Sequence, residues 1–353
     1  VRQLPDQPDK PLLSEMLQLQ AYQQRLVAMA NVLAEGTSKG LAANTVRWIE
    51  IDSRKRQVVR IYRCPLHVGE AMAEWVYANL KTVVMTSATL TVQREFNYLF
   101  GRIGLDRIGD RDVLTGILDS PFDFGKQALL CVTRDICDPN QNEFQDESVE
   151  CIRSAINVTG GHAFVLFTSF YALDYAFQSL EKELRRAGIT PLKQGQANRT
   201  ALLDRFRSDT ASVLFATDSF WEGVDVAGDA LRCVILPKLP FRVPTEPVLQ
   251  ARTEAIESTG GNAFMSYTVP QAVIRFRQGF GRLIRRRTDW GAVVVLDRRI
   301  TTKYYGRVFL QSLPEMKTVI ESRKEVFDAM EAFFAPAGGP ATPGELHTGG
   351  ATS

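Results

Sequence analysis

Residues 163–168 read AFVLFT, an apolar run without polar alternation that ends in a threonine. Runs of about four to six apolar residues indicate strands that are buried on both faces. Similar runs recur along the chain, and most of them precede a helical stretch, which predicts β-α-β units and a parallel sheet. The other predicted strands are Val83–Thr86, Ala128–Thr133, Val213–Thr217, Cys233–Pro237 and Ala292–Asp297.

The two ends of the chain have different patterns. Residues 12–34 carry apolar side chains at heptad-like spacing, which predicts a long helix packed on a partner helix. Residues 46–63 predict two strands joined by a polar turn, and residues 69–80 predict a helix. Residues 335–353 are rich in Ala, Gly, Pro and Thr, which predicts a disordered tail.

The overall composition is that of an ordinary globular protein. Of the 353 residues, 45% are hydrophobic and 23% are charged, which excludes a fibrous or intrinsically disordered chain. The net charge of +2 excludes a strongly basic nucleic-acid coat but permits a local basic stripe. The sequence shows neither a membrane-spanning run nor a signal peptide, so we expect a cytoplasmic protein. The five cysteines lack C-x-x-C spacing, which predicts reduced thiols and no metal site.

Polar side chains follow several of the predicted strands. Ligands of an open parallel sheet bind outside the carboxyl ends of its strands, so these positions are candidates for a site. Residues 87–89 (SAT) follow one run, residues 169–171 (SFY) follow another, and residues 218–225 (DSFWEGVD) follow a third. Any one of these polar residues is more often a turn or a helix N-cap than a ligand.

The segment at 218–225 carries more information than the others. Phe220 and Trp221 either pack beneath the loop or touch a nucleic acid. Asp225 could accept a hydrogen bond from a ribose hydroxyl, and Glu222 could hold an arginine or the loop backbone.

Residues 278–287 (QGFGRLIRRR) form the most specific pattern in the chain. Arg282 and Arg285 are three residues apart, so on a helix they would share one face, and Gln278 would join them. Two permanently charged, planar guanidinium groups on one edge suit a polyphosphate. A solvated basic helix end is the alternative, but solvation alone requires no such glutamine and no such spacing.

The chain lacks two features that a nucleotide hydrolase needs. A phosphate-binding loop has the pattern G-x-x-x-x-G-K-[ST], whereas the only Gly-Lys step, Gly125-Lys126, is followed by Gln127. The only Asp-Glu step, Asp146-Glu147, lies in a polar stretch and does not follow a buried strand. The sequence therefore predicts arginines for a γ-phosphate without the cradle that would hold the phosphates.

Four segments match, in order, the motifs of a known family. From about Val46 to Met330, the chain resembles the C-terminal half of superfamily 2 DNA helicases of the DinG type, bacterial relatives of the xeroderma pigmentosum group D helicase. Residues 239–247 (LPFRVPTEP) are also similar to a segment typical of this branch. The matching segments are Thr86–Leu90 for motif III, Leu166–Phe170 for motif IV, Thr217–Asp225 for motif V and Gln278–Arg285 for motif VI.

The resemblance implies an α/β fold with a RecA-like parallel sheet flanked by helices, namely the second motor domain of a helicase. Residues 1–98 would be a partial helical and hairpin region from the first motor domain and its arch insertion, and residues 99–334 would form the second motor domain. The family's P-loop, DEAH box and iron–sulfur cysteines lie upstream of residue 1. We therefore expect a truncated chain that is inactive by itself and holds no iron–sulfur cluster.

The implied activity is ATP-dependent translocation on single-stranded DNA and duplex unwinding, in the 5′→3′ direction, in DNA repair or replication. The missing domain would bind most of the ATP and its Mg²⁺, and the partners would be single-stranded and forked duplex DNA. The protein would work as a monomer without contact to a membrane.

The resemblance also assigns roles to individual residues. The arginine fingers and the residue that orients them would be Arg282, Arg285 and Gln278. The nucleotide would contact Asp225, Gly223 and Glu222. The residues that couple the γ-phosphate to the DNA would be Ser87, Ala88 and Thr89. The DNA strand would contact Thr168, Ser169, Tyr171, Trp221 and Arg242.

Two other functions fit the same residues. The chain could be a non-catalytic RecA-like module that binds single-stranded nucleic acid or a protein and has lost its motor. It could also belong to a helicase motor with a different activity, such as one that is joined to an exonuclease domain or one that acts on RNA or RNA–DNA hybrids. The upstream sequence and a panel of nucleic-acid substrates at fixed salt would separate these possibilities.

Overall fold

The computed structural model describes residues 10–38, 44–52, 58–217, 220 and 228–335. The chain divides into two compact units. The first comprises residues 1–81, 102–108 and 243–261, and the second comprises residues 82–101, 109–242 and 262–353. This division does not coincide with the predicted boundary between residues 98 and 99, and the assignment of motor domains remains a prediction.

The first unit contains a long helix and a hairpin, both of which were predicted. Helix α1 spans Lys10–Thr37, and strands β1 (Thr45–Asp52) and β2 (Val58–Pro65) pair antiparallel. A side chain on Gly36 would meet Cγ2 of Ile61 at 2.8 Å, so the end of α1 approaches β2 closely. The unit also holds α2 (Gly69–Met72), a π-helical turn (Ala73–Tyr77), a 3₁₀ turn (Leu105–Arg107) and α8 (Pro247–Ser258).

Three of the heptad leucines of α1 are exposed. Leu26 is 67% exposed, and Leu19 and Leu33 are also more than half exposed. Within the described parts of this unit, the partner helix that the spacing predicts is not found along this face. No helix among the described residues has the length and apolar character needed to cross a bilayer.

The second unit is built on a parallel sheet of seven strands in the order β5-β6-β4-β7-β8-β3-β9. Every pairing in this sheet is parallel. The strands are β3 (Ala128–Thr133), β4 (Ala163–Leu166), β5 (Thr190–Lys193), β6 (Ser212–Ala216), β7 (Cys233–Leu236), β8 (Gly291–Val295) and β9 (Lys317–Glu321).

Helices cover both faces of this sheet, which confirms the predicted α/β class. Side chains of β8 alternate between two cores: Val293 and Val295 face one, and Ala292 and Val294 face the other. The first core is completed by α7 (Arg199–Ser208), α9 (Val269–Phe280) and α11 (Gly306–Gln311). The second is completed by α5 (Phe144–Thr159), α6 (Phe170–Arg186) and α12 (Arg323–Phe334). Shorter helical segments are α3 (Asn97–Ile103), α4 (Phe124–Gln127), a π-helical turn (Phe264–Thr268) and α10 (Arg299–Thr302).

Five of the six predicted strands are present in this sheet, and one prediction is wrong. Residues 83–86 form no strand in the described structure, and Val84 is 80% exposed. An apolar run indicates a tendency to be buried, but a strand also needs a neighbouring strand to pair with. None of the seven strands of this sheet pairs with residues 83–86. The edge strands β5 and β9 were not predicted, because each is short and partly exposed.

Candidate functional site

Helix α9 ends at Phe280, so both candidate arginines lie beyond it. The helix closes in a tight turn, in which the backbone N–H of Arg282 donates to a carbonyl 3.2 Å away. The prediction that Arg282 and Arg285 share one helix face is therefore wrong. The chain leaves the helical path because Leu283 and Ile284 turn into the hydrophobic core before β8 begins. We call residues 281–290 the motif VI turn.

The candidate side chains of this region are largely removed from solvent. Arg282 is only 8% exposed, and Arg285 is half-buried. Gln278 lies on α9, and its buried Oε1 accepts no hydrogen bond from any described residue. A buried acceptor without a donor costs about 1–3 kcal/mol. A hydrogen-bond donor for Oε1 of Gln278 would have to come from a ligand or from residues outside the described ranges.

The motif III segment is attached to the same helix. The guanidinium of Arg277 donates from Nη2 to the carbonyl of Ala88 at 2.8 Å and from Nη1 to the carbonyl of Thr91 at 2.6 Å. Burial lowers the pKa of Arg277. Next to this attachment, the hydroxyls of Ser87 and Thr89 lie 3.3 Å apart on the exposed part of the segment. The hydroxyl groups of Ser87 and Thr89 therefore lie on a segment that Arg277 anchors to α9 through the carbonyl of Ala88.

The arginines lie at the opposite edge of the sheet from the residues that follow the strands. Helix α9 starts after β7 and ends before β8, and these two strands are parallel neighbours, so the helix returns the chain from the carboxyl edge to the amino edge. Gln127, which directly precedes β3, donates from Nε2 to the carbonyl of Arg287 at 3.0 Å. The motif IV candidates therefore follow a strand, whereas the motif VI candidates precede one.

The described DNA candidates lie after strands or on their connecting loops. Thr168 is half-buried just after β4, whereas Tyr171 is 72% exposed in the first turn of α6. Ser169 is the N-cap of α6, where its Oγ accepts from the N–H of Ala172 at 3.2 Å. Arg242 is exposed and follows Phe241, whose ring packs in the core. Ser169 therefore has the capping role that sequence statistics favour.

Most of the motif V candidates cannot be placed. Trp221, Glu222, Gly223 and Asp225 lie outside the described residues. At the start of the motif, the N–H and hydroxyl of Thr217 donate to Oε1 of Gln194 at 2.7 and 3.1 Å. Phe220 is buried in the core and has the guanidinium of Arg199 5.5 Å from its ring centroid. The ring of Phe220 is therefore buried, as the first of the two predictions for it requires.

Sequence reasoning missed three residues that organise this region. Arg277 directly precedes Gln278, but its backbone partners lie far away in sequence. Asp289 and Gln127 hold the backbone of the motif VI turn. A buried Asp or Gln placed just before a buried strand is the available signal, and it is too common to single out a site.

The described residues do not fit a metal ion. They contain no group of three or more His, Cys, Asp or Glu side chains that could hold one. Mg²⁺ that accompanies a nucleotide would need ligands from outside the described residues.

Sequence comparison shows that the chain is similar to known helicases. Residues 152–316 match the sequence profile described as the helicase C-terminal domain. The chain is 38% identical over 280 residues to the ATP-dependent DNA helicase YoaA of Haemophilus influenzae, which covers 79% of the chain and 42% of that protein. It is 36% identical over 292 residues to the 3′-5′ exonuclease DinG of Bacillus subtilis, which covers 80% of the chain and 31% of that protein.

The predicted resemblance to DinG-type helicases is thus confirmed. A third relative, the YoaA helicase of Escherichia coli, is 37% identical over 268 residues, which covers 76% of the chain and 40% of that protein. The chain therefore spans less than half the length of these curated relatives. The matched profile covers β4 to β8, and with them the segments that resemble motifs IV, V and VI.

Proposed function

We propose that this chain is the C-terminal portion of an ATP-dependent DNA helicase that translocates on single-stranded DNA and unwinds forked duplexes, in DNA repair or replication. One observation carries the proposal. Helix α9 holds the motif III segment through Arg277 and leads directly into the buried Arg282 of motif VI. Segments of the chain almost two hundred residues apart, both of which resemble helicase motifs, therefore meet on one helix.

Arg282 and Arg285 would stabilise the triphosphate in the transition state. Phosphoryl transfer depends mainly on positioning and on stabilisation of charge on the phosphoryl oxygens. A guanidinium suits this task because it stays charged when it is largely buried, and its attraction to phosphate is stronger away from water. Gln278 would orient these groups, since its Oε1 is free to accept from a guanidinium or from the attacking water.

The remaining candidates would bind nucleotide and DNA. Asp225, Gly223 and Glu222 would contact the ribose and nearby backbone, and the phosphates and Mg²⁺ would be held by a first motor domain. Ser87, Ala88 and Thr89 would transmit the state of the γ-phosphate through the anchored motif III segment. Contacts to DNA phosphates and stacking on bases are the usual means of binding single strands. These contacts would come from Thr168, Ser169, Tyr171, Trp221 and Arg242.

Substitution of Arg285 tests the proposal. In the full-length protein, Arg285→Ala should lower DNA-stimulated ATP turnover on the order of 10³-fold, the value of an arginine finger in other enzymes. Arg286→Ala is the matched control, because this neighbouring arginine is exposed and the substitution removes the same charge. Turnover and single-strand binding are measured for both variants. Near-normal hydrolysis by Arg285→Ala would remove the catalytic role and favour a non-catalytic binding module.

A further inference from the structure

Asp289 lies in the motif VI turn and is buried, with 3% of its surface exposed. Its Oδ2 accepts hydrogen bonds from the backbone N–H groups of Arg285 at 2.9 Å and Arg286 at 2.8 Å. Its Oδ1 accepts from the backbone N–H of Gly228 at 3.2 Å. One carboxylate therefore joins the backbone that carries Arg285 to the first described residue after the motif V loop.

The side chain of Gln127 binds backbone carbonyl groups of the same turn. Nε2 of Gln127 donates to the carbonyl of Asp289 at 2.7 Å and to that of Arg287 at 3.0 Å. Gln127 is itself buried, at the amino end of β3. The backbone of residues 285–289 is thus held on its N–H side by a carboxylate and on its C=O side by an amide, although it lies outside regular secondary structure.

The charge of Asp289 suits this role. A carboxylate that accepts several backbone N–H groups forms charge-assisted hydrogen bonds, which are stronger than neutral ones. Arg232 supplies a nearby positive charge: burial lowers the pKa of its guanidinium, and the charges of Asp229 and Asp289 oppose that change. Among the described residues, the carboxylate of Asp289 accepts hydrogen bonds from the backbone N–H groups of Gly228, Arg285 and Arg286, so it acts through the position of the turn.

We infer that Asp289 is a positioning residue that fixes the backbone of Arg285 relative to Gly228, so that the guanidinium of Arg285 is held in one position toward the nucleotide. The inference rests on the proposed function, since it needs Arg285 to act on a phosphate. A misplacement of about 1 Å in a catalytic group can cost on the order of 10²-fold in rate. A rigid turn beneath a long arginine side chain is a direct way to prevent such a misplacement.

The isosteric substitution Asp289→Asn breaks one side of this network. An amide has a single oxygen, so either the N–H of Gly228 or those of Arg285 and Arg286 would face an NH₂ group. In the full-length protein we expect kcat for ATP to fall about tenfold, with KM changed less than about twofold. Asp204→Asn is the control, because it removes the same charge from an exposed side chain of α7.

A double-mutant cycle with Arg285→Ala separates positioning from a general structural role. If Asp289 acts through Arg285, adding Asp289→Asn to Arg285→Ala should change kcat by less than about twofold, since the group that it positions is already absent. An equal tenfold fall in both backgrounds, or normal kcat in the single variant, would overturn the inference alone. Normal turnover by Arg285→Ala would overturn the proposed function and this inference with it.

A second variant keeps the test decisive if Asp289→Asn melts below the assay temperature. Gln127→Met leaves the carboxylate in place and removes only the donor to the carbonyls of the turn. The same fall in kcat, again absent in the Arg285→Ala background, is expected. A Gln127→Met protein that folds and turns over ATP normally, or whose loss persists in that background, would contradict the proposed role of this turn.

Discussion

Asp297 is a completely buried carboxylate just after β8. It contacts the loop that follows the neighbouring strand β7. It accepts from the N–H of Leu239 at 2.8 Å and from Nε and Nη2 of Arg299 at 2.9 and 2.6 Å. Burial lowers the pKa of Arg299, but the hydrogen bonds and charge of Asp297 outweigh it, so that pKa is raised overall. The guanidinium of Arg299 lies 5.7 Å from the ring centroid of Phe241, the residue before Arg242. This pair therefore fixes the loop from which Arg242 projects.

Removal of this carboxylate should strongly destabilise the second unit. Asp297→Ala leaves a buried guanidinium without its counter-ion, and such a change costs about 3–5 kcal/mol. The free energy of unfolding is measured by urea denaturation of the chain, followed by circular dichroism. Asp204→Ala is the control, because it breaks an exposed pair with Arg207 and should change that free energy by less than about 1 kcal/mol. Equal effects of the two substitutions would contradict the importance of the buried pair.

At the scale of elements, α9 acts as the support for the motif III segment. Its attachment consists of two hydrogen bonds from one arginine to backbone carbonyls, and the exposed Gln93 adds a side-chain hydrogen bond to Gln311 at 2.9 Å. The segment then turns, with Val92 and Glu95 exchanging backbone hydrogen bonds of 3.1 and 3.0 Å. The arginine contacts are the stronger attachment, because their donor is charged and largely buried.

Arg277→Gln should release the motif III segment from α9. Loss of charge-assisted hydrogen bonds worth about 1.5–3 kcal/mol predicts at least about tenfold faster hydrogen exchange in this segment. The amides of Val92 and Glu95 are the probes, followed by mass spectrometry or NMR. Gln93→Ala removes only the exposed contact to Gln311 and should leave their exchange almost unchanged. Unaltered exchange in Arg277→Gln would show that other contacts hold the segment.

The central strands could be predicted because they are buried on both faces, which leaves an unbroken apolar run such as AVVVLD at 292–297. The edge strand β9 has three exposed and two half-buried residues and gives no such signal. The types and spacing of Gln278, Arg282 and Arg285 indicated phosphate chemistry, but the end of the helix at Phe280 depends on the packing of the following residues. Arg277 and Asp289 could not be found from sequence, because their partners are backbone groups brought close only by the fold.

At the scale of the whole molecule, the chain exposes several large apolar side chains. Leu114 and Leu118 are 95% and 96% exposed within residues 110–120, a segment without helix or strand. Leu19, Leu26 and Leu33 of α1 are also exposed, as is Val84, which precedes the motif III segment. Large exposed apolar patches mark interaction surfaces or sites of association. Under the proposed function, the first motor domain and its arch insertion would cover them.

The chain by itself should therefore self-associate through residues 113–118, whereas the full-length protein should remain monomeric. Replacing Leu114 and Leu118 together by Ser removes two nearly fully exposed apolar side chains and should shift the isolated chain toward monomer, without loss of helical signal. Sedimentation velocity over a range of concentrations measures the change. Thr115→Ser is the control, because it changes an exposed polar side chain between the two leucines. A wild-type chain that stays monomeric at every concentration, or association that the double substitution leaves intact, would show that these leucines do not form an interaction surface.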